Sequence, residues 1–176
     1  FNNSSGEMTV EYLPGGSDYP VIIGLDISSN GEYIASVSGQ DKQRFVLAKK
    51  ENTQVKILYH EYLKDDVIGQ TLVKFTNDEK SVLYNQKNGI TFVDIDDGHT
   101  SKIKIDSKII SVSESENLIF LLGKKQETYT VYIIETTKSL GGNFSFDASS
   151  AFISANGDRL FVGRDNSISK IKITKK

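Results

Sequence analysis

Cysteine and tryptophan are both absent from this chain of 176 residues, and it holds only two prolines and two histidines. Without cysteine there is no disulfide framework, no thiol nucleophile and no zinc–thiolate site. With His60 and His99 alone, a histidine-dependent triad or multi-histidine metal site would have to be built from one or both of them. Long apolar stretches are missing too. The longest run, Leu118 to Leu122, falls far short of the ~18 residues of a spanning helix, so this segment is not expected to insert into a membrane. Nor does one sign of charge dominate: 21 Lys+Arg against 23 Asp+Glu leave a net charge of -2, which argues against nucleic acid as a partner. What remains, 38% hydrophobic and 25% charged, is the composition of one ordinary folded domain. Residues 1–7, opening on Phe1 and Asn2, read as a polar leader left after a signal, an anchor or an upstream domain was removed. That reading predicts a domain outside the cytoplasm, periplasmic or membrane-anchored and facing out.

Helical spacing of apolar residues is also scarce, while β-branched and aromatic residues cluster in short runs broken by Gly, Asn, Asp and Ser. The fold class predicted is all-β. Val55-Lys56-Ile57, Lys102 to Ile105 and Lys170 to Ile173 alternate with period two, as strands with one wet face do. A longer repeat is superimposed. Ile27 to Ala35, Phe75 to Leu83, Val112 to Phe120 and Ile153 to Phe161 share one grammar of strand end, polar turn and new apolar strand. Taking Asn30, Asp78, Ser115 and Asn156 as equivalent turn positions gives spacings of 48, 37 and 41 residues, close to the ~40 to 45 of a four-stranded propeller blade. The expectation is a β-propeller-like domain over residues 8–176, with four consecutive four-stranded blades near 20–60, 67–106, 108–145 and 147–176. The last blade lacks one strand, and Met8 to Leu13 is available to complete it. Four blades make either a small closed ring or an arc. An arc bares apolar faces at its ends and so predicts a homo-oligomer.

The segment Leu25-Asp26-Ile27-Ser28-Ser29-Asn30-Gly31-Glu32-Tyr33-Ile34-Ala35 resembles the D-x-S-x-D/N-G-x-x-I-A signature of WD-repeat-like and TolB-like β-propellers. Ser154 to Leu160 matches it in part. The usual proline before the Asp/Asn is replaced by Ser29 and Ala155, and the Trp-Asp dipeptide is absent. The resemblance implies a propeller fold and no particular activity, since propellers carry enzymes and inert scaffolds alike.

Chemistry-bearing motifs are thin. Asp94 to Gly98 superficially follows a calcium loop, but its glycine comes one position early and Ile105 stands where a bidentate glutamate belongs. Asn30-Gly31, Asn88-Gly89 and Asn156-Gly157 read as type I′ hairpin turns. His99 sits in a hairpin connection, and His60 in a solvated loop beside Glu61. No catalytic, metal-binding or cofactor-binding residue is assigned, and no cofactor is implied. The favoured function is a non-enzymatic protein–protein interaction or scaffold domain of a larger exported or membrane-anchored bacterial protein. Its candidate partner contacts lie on connections: Tyr19 in the Pro-Gly-Gly loop, Gln40, Asp41 and Arg44 at a hairpin tip, and His60, Tyr62, Asp65 and Asp66 between the first two blades. One rival is a ligand- or carbohydrate-processing propeller whose funnel acids, Asp26 among them, approach one another. A structural spacer or oligomerisation module is the other.

Overall fold

The computed structural model describes residues 21–39, 42–52, 54–63, 71–87, 89–115, 118–135 and 137–173. Among them every regular element is a strand, and no helix is long and apolar enough to cross a membrane. Strands β1 (Ile22–Ile27), β2 (Tyr33–Ser38), β3 (Gln43–Glu51) and β4 (Gln54–Leu63) form the first antiparallel sheet, in sequence order. The second holds β5 (Val73–Phe75), β6 (Ser81–Gln86), β7 (Gly89–Asp94) and β8 (Thr100–Lys104). The third holds β9 (Lys108–Ser115), β10 (Leu118–Lys125), β11 (Thr128–Glu135) and β12 (Leu140–Asp147). A three-stranded sheet of β13 (Ala151–Asn156), β14 (Arg159–Arg164) and β15 (Ser167–Lys172) completes the described chain. These four meanders are the blades of an all-β propeller architecture. The 8–13 strand proposed to complete the last blade lies outside the described residues.

The second strands of the blades begin at Tyr33, Ser81, Leu118 and Arg159, at the spacings of 48, 37 and 41 residues read between the turns. In the first two blades the repeat extends to single atoms. Asn30 Oδ1 accepts from the Glu32 amide and the Ser28 hydroxyl, and Asp78 Oδ1 accepts from the Lys80 amide and the Thr76 hydroxyl. Blades 3 and 4 use tighter connections, since Ser115 pairs with Leu118 and Asn156 with Arg159. The I′ assignment of two turns is corrected here. Gly31 and Gly157 have φ of 73° and 57°, but Asn30 and Asn156 are not left-handed, whereas I′ geometry needs both central residues at positive φ. At β13–β14 the central pair is Gly157-Asp158 with glycine first, the pattern of a II′ turn. Asn88 lies outside the described residues.

Middle strands such as β6 and β10 carry buried apolar residues on both faces, and so these blades pack on a neighbour at either side. Ala35, Val37, Phe45 and Leu47 of blade 1 meet Val73, Phe75, Val82 and Tyr84 of blade 2. Leu83, Ile90 and Phe92 on the reverse of blade 2 meet Ile109, Ile119 and Leu121 of blade 3. Phe120, Leu122 and Val131 then meet Ile153, Leu160 and Val162 of blade 4. The Phe45 and Tyr84 rings stack at 4.1 Å between centroids, 13° from parallel, at the first of these seams.

Polar groups close the same seam at its outer side. Glu61 on β4 accepts from Lys102 Nζ at 2.8 Å and from the Tyr84 hydroxyl at 2.5 Å, both on blade 2. Burial alone would raise the Glu61 pKa; the bonds from Lys102 and Tyr84 and the ammonium charge outweigh it and hold the carboxyl below its ordinary value. Burial and the Glu61 carboxylate together drive the Tyr84 phenol far upward.

Two consequences can be measured. Phe45→Ala removes a fully buried ring from the blade 1–2 seam and is expected to cost about 3 to 5 kcal/mol in urea unfolding. Glu61 has a depressed folded pKa, so its contribution is complete above the ordinary glutamate range and disappears as pH falls through the folded value. Thermal melts of wild type should therefore lose stability from about pH 4.3 downward more steeply than those of Glu61→Gln.

Candidate functional site

The β3–β4 register sets Arg44 opposite Tyr62 and Val46 opposite His60, with Phe45 opposite Glu61 in between. Because strand side chains alternate, Phe45 and Glu61 face blade 2, and Arg44, His60 and Tyr62 share the opposite face. Three of the eight predicted contact residues thus meet on one sheet surface. The Arg44 guanidinium carbon lies 5.9 Å from the Tyr62 ring centroid, and the His60 ring stands edge-on to Tyr62 at 5.7 Å and 82°. Arg44 is buried, Tyr62 is 57% exposed and His60 is exposed, so a cation supports an aromatic ring from within the sheet.

This placement corrects the sequence expectation. Arg44 is a buried residue of β3 and not an exposed hairpin tip, because the β3–β4 ladder continues through it and pairs it with Tyr62. His60 and Tyr62 stand in β4, which runs to Leu63 instead of ending in a loop near Tyr59. Leu63 packs towards the blade 1–2 core while Tyr62 points away from it. Tyr19, Gln40, Asp41, Asp65 and Asp66 lie outside the described residues.

His99 occupies the β7–β8 turn of blade 2, where its amide donates to Asp97 Oδ1, whereas His60 is on the face of blade 1 turned from blade 2. The two imidazoles therefore do not converge. Asp26, the acid named for a funnel, accepts the Phe75 amide across the blade 1–2 seam at 2.8 Å. Among the described residues no group of three or more His, Asp or Glu side chains is arranged to hold a metal.

A cleft of about 200 Å³ opens between blades 2 and 3, and its lining includes Ser81, Phe92, Asp94, Glu114, Glu135 and Lys138. Lys138 donates to Asp94 across the seam, and the Ser81 hydroxyl donates to the same carboxylate at 2.6 Å. Burial raises the Asp94 pKa, but Lys138 and Ser81 overcome that and keep it low. Glu114 behaves in the opposite way. Its Oε2 accepts the Asn77 amide at 2.8 Å, and its Oε1 is buried with no hydrogen bond among the described residues. Burial is the main cause that pushes the Glu114 carboxyl up; Asp78 and Asp26 add to it against the Asn77 amide and Lys74. No spacing rule marks Glu114, which sequence reading passed over as a turn residue.

A raised folded pKa means that the ionised carboxylate opposes folding, and that the stability of its protonated form is lost as pH rises through the folded value. Glu114→Gln keeps an oxygen for the Asn77 amide and removes the buried charge. Melting of this variant should be a few degrees higher than wild type at pH 7, with the gain shrinking as pH falls through the raised folded value and gone by about pH 4.3.

Comparison with known proteins agrees with these four meanders. An uncharacterized protein of Treponema pallidum is 24% identical over 172 residues, 97% of this chain and 46% of the relative, so the chain spans about half the length of that curated relative. The β-propeller domain of Cps50 (Swd1) from Myceliophteria thermophila superposes with a TM-score of 0.62 at 13% identity, over 96% of this chain and 58% of that one. The propeller domain of the trilobed protease from Pyrococcus furiosus, described as having an open velcro topology, gives 0.54 at 14% identity over 88% and 59%. These structural likenesses concern the fold. A family model spans residues 1–176, and the chain belongs to the beta-propeller protein family.

Proposed function

We propose that this propeller domain is a non-enzymatic protein-interaction scaffold, and that a partner protein docks on the rim of blade 1 at Tyr62, with His60 beside it and Arg44 beneath. The exposed Tyr62 ring, held between an imidazole edge and a buried guanidinium, is the observation that carries the reading. Tyrosine and arginine contribute disproportionately to protein contacts, and a ring already oriented by a sheet loses little freedom on binding. The commitment of Asp26 to the Phe75 amide and the separation of His60 from His99 favour this reading over a hydrolytic one. Within the propeller family, the motif from Asp26 to Ala35 and its Ser28–Asn30 turn bond support a place among WD-repeat-like and TolB-like rings.

Affinity capture from a cell extract with the immobilised chain tests the proposal. The protein retained by wild type should be retained about tenfold less by Tyr62→Ala and less by His60→Ala, with circular dichroism of both variants unchanged. Equal retention by all three would overturn it.

A further inference from the structure

The cleft between blades 2 and 3, at about 200 Å³, is smaller than the ~300 Å³ at which sites for drug-sized ligands begin, so it has room for one small molecule or one side chain. Strand alternation turns Ser81, Phe92 and Asp94 towards it from blade 2, and Glu114 and Ile119 from blade 3. Phe92 and Ile119 belong to the apolar cluster of this seam and give the cleft an apolar base. Above that base the lining carries four carboxylates, Asp78, Asp94, Glu114 and Glu135, against the two ammoniums of Lys80 and Lys138. The four are not equally engaged. Asp94 accepts from Ser81 and Lys138, and Asp78 accepts from the Thr76 hydroxyl and the Lys80 amide. Glu114 is held through Oε2 alone, its buried Oε1 meets no donor, and among the described residues neither Glu114 nor Glu135 has an ion-pair partner. A buried carboxylate oxygen without a donor costs free energy that a donor brought by a ligand would recover. The described acids do not converge on a point as metal ligands must, since no three of them are arranged to hold an ion. They surround a space with an apolar base instead, and that arrangement suits an organic cation.

We infer that this cleft binds a guanidinium or ammonium group carried on a short aliphatic stem, the cation supplying the donor that Glu114 Oε1 lacks and the stem packing towards Phe92 and Ile119. A guanidinium fits better than an ammonium, because its planar fork matches a carboxylate and it is the more weakly hydrated of the two. The excess of carboxylates fixes the sign: a ligand carboxylate or phosphate would meet repulsion where a cation meets attraction. The same chemistry has two sources, a free amine of small size and an arginine side chain presented by another protein. Tyr62 lies on the face of blade 1 turned from blade 2, so this site is separate from the rim and stands whatever docks there.

Calorimetric titration of the whole chain with n-butylguanidinium is the test, with n-pentanol and n-pentanoate as neutral and anionic ligands of similar stem. Wild type should bind the guanidinium saturably, with a dissociation constant of about 1 mM or below, and at least about tenfold more tightly than either control. Glu114→Gln should raise that constant at least about tenfold. This variant is expected to melt no lower than wild type at pH 7, so its loss of binding is not loss of fold. Lys80→Gln, at an exposed position of the lining, should lower the constant about twofold at low salt, with the gain disappearing at high salt. A short arginine peptide capped at both ends separates the sources: binding equal to that of n-butylguanidinium assigns the cleft to a protein side chain, and weaker binding assigns it to a free amine. Absence of saturable guanidinium binding overturns the inference. So does equal binding of n-pentanol or n-pentanoate, an unchanged constant in Glu114→Gln, or weaker binding by Lys80→Gln.

Discussion

Burial on two sides governs this molecule. Along β10, Ile119 and Leu121 pack towards blade 2 while Phe120 and Leu122 pack towards blade 4, and all four are buried. A sheet of that kind cannot stand with one face in water, as an isolated antiparallel meander could. Stacking is thus a condition for each blade to exist, and the succession of sheets follows from it. The outermost strands differ: β4 alternates exposed and half-buried positions over all ten residues, because beyond it there is only solvent.

The same contrast explains what could be read in advance. Strands wet on one side announce themselves by alternation, as Val55 to Ile57 and Lys170 to Ile173 do, and turns announce themselves by Asn, Asp, Ser and Gly. Spacing between turns then carried the repeat, because the second strand of each blade begins a nearly fixed distance from its turn. Less was legible where a side chain's role depends on a neighbour distant in the chain. Tyr62 and Arg44 looked like loop residues because Glu61 and Lys42 beside them are charged, yet a charged residue fits inside a strand when the next blade offers a partner, as Lys102 does for Glu61. Turn type was misread for a related reason. Asn-Gly is equally consistent with several hairpins, and the choice among them depends on which residue of the pair closes the ladder.

Beside the apolar seams runs a set of hydrogen bonds between the backbone of one blade and the side chains of a neighbouring blade. The Ser29 amide donates to Glu79, the Asn77 amide to Glu114 and the Phe75 amide to Asp26. Blades 3 and 4 are joined with hydroxyls instead, the Ser113 hydroxyl accepting from the Ala155 amide and the Ser115 hydroxyl donating to the Gly157 carbonyl. Each bond satisfies a backbone group at a seam; those of Phe75, Ala155 and Gly157 are part-buried, and those of Ser29 and Asn77 are open to solvent. Shape brings the sheets together, and these bonds select which sheet sits beside which.

It follows that the blades, though alike in outline, are not interchangeable parts. Transposing the second and third would take Glu79 away from the Ser29 amide and would deprive the Ala155 amide of Ser113. Each blade bears the mark of its particular neighbours, because the side chains that meet the backbone differ from one seam to the next.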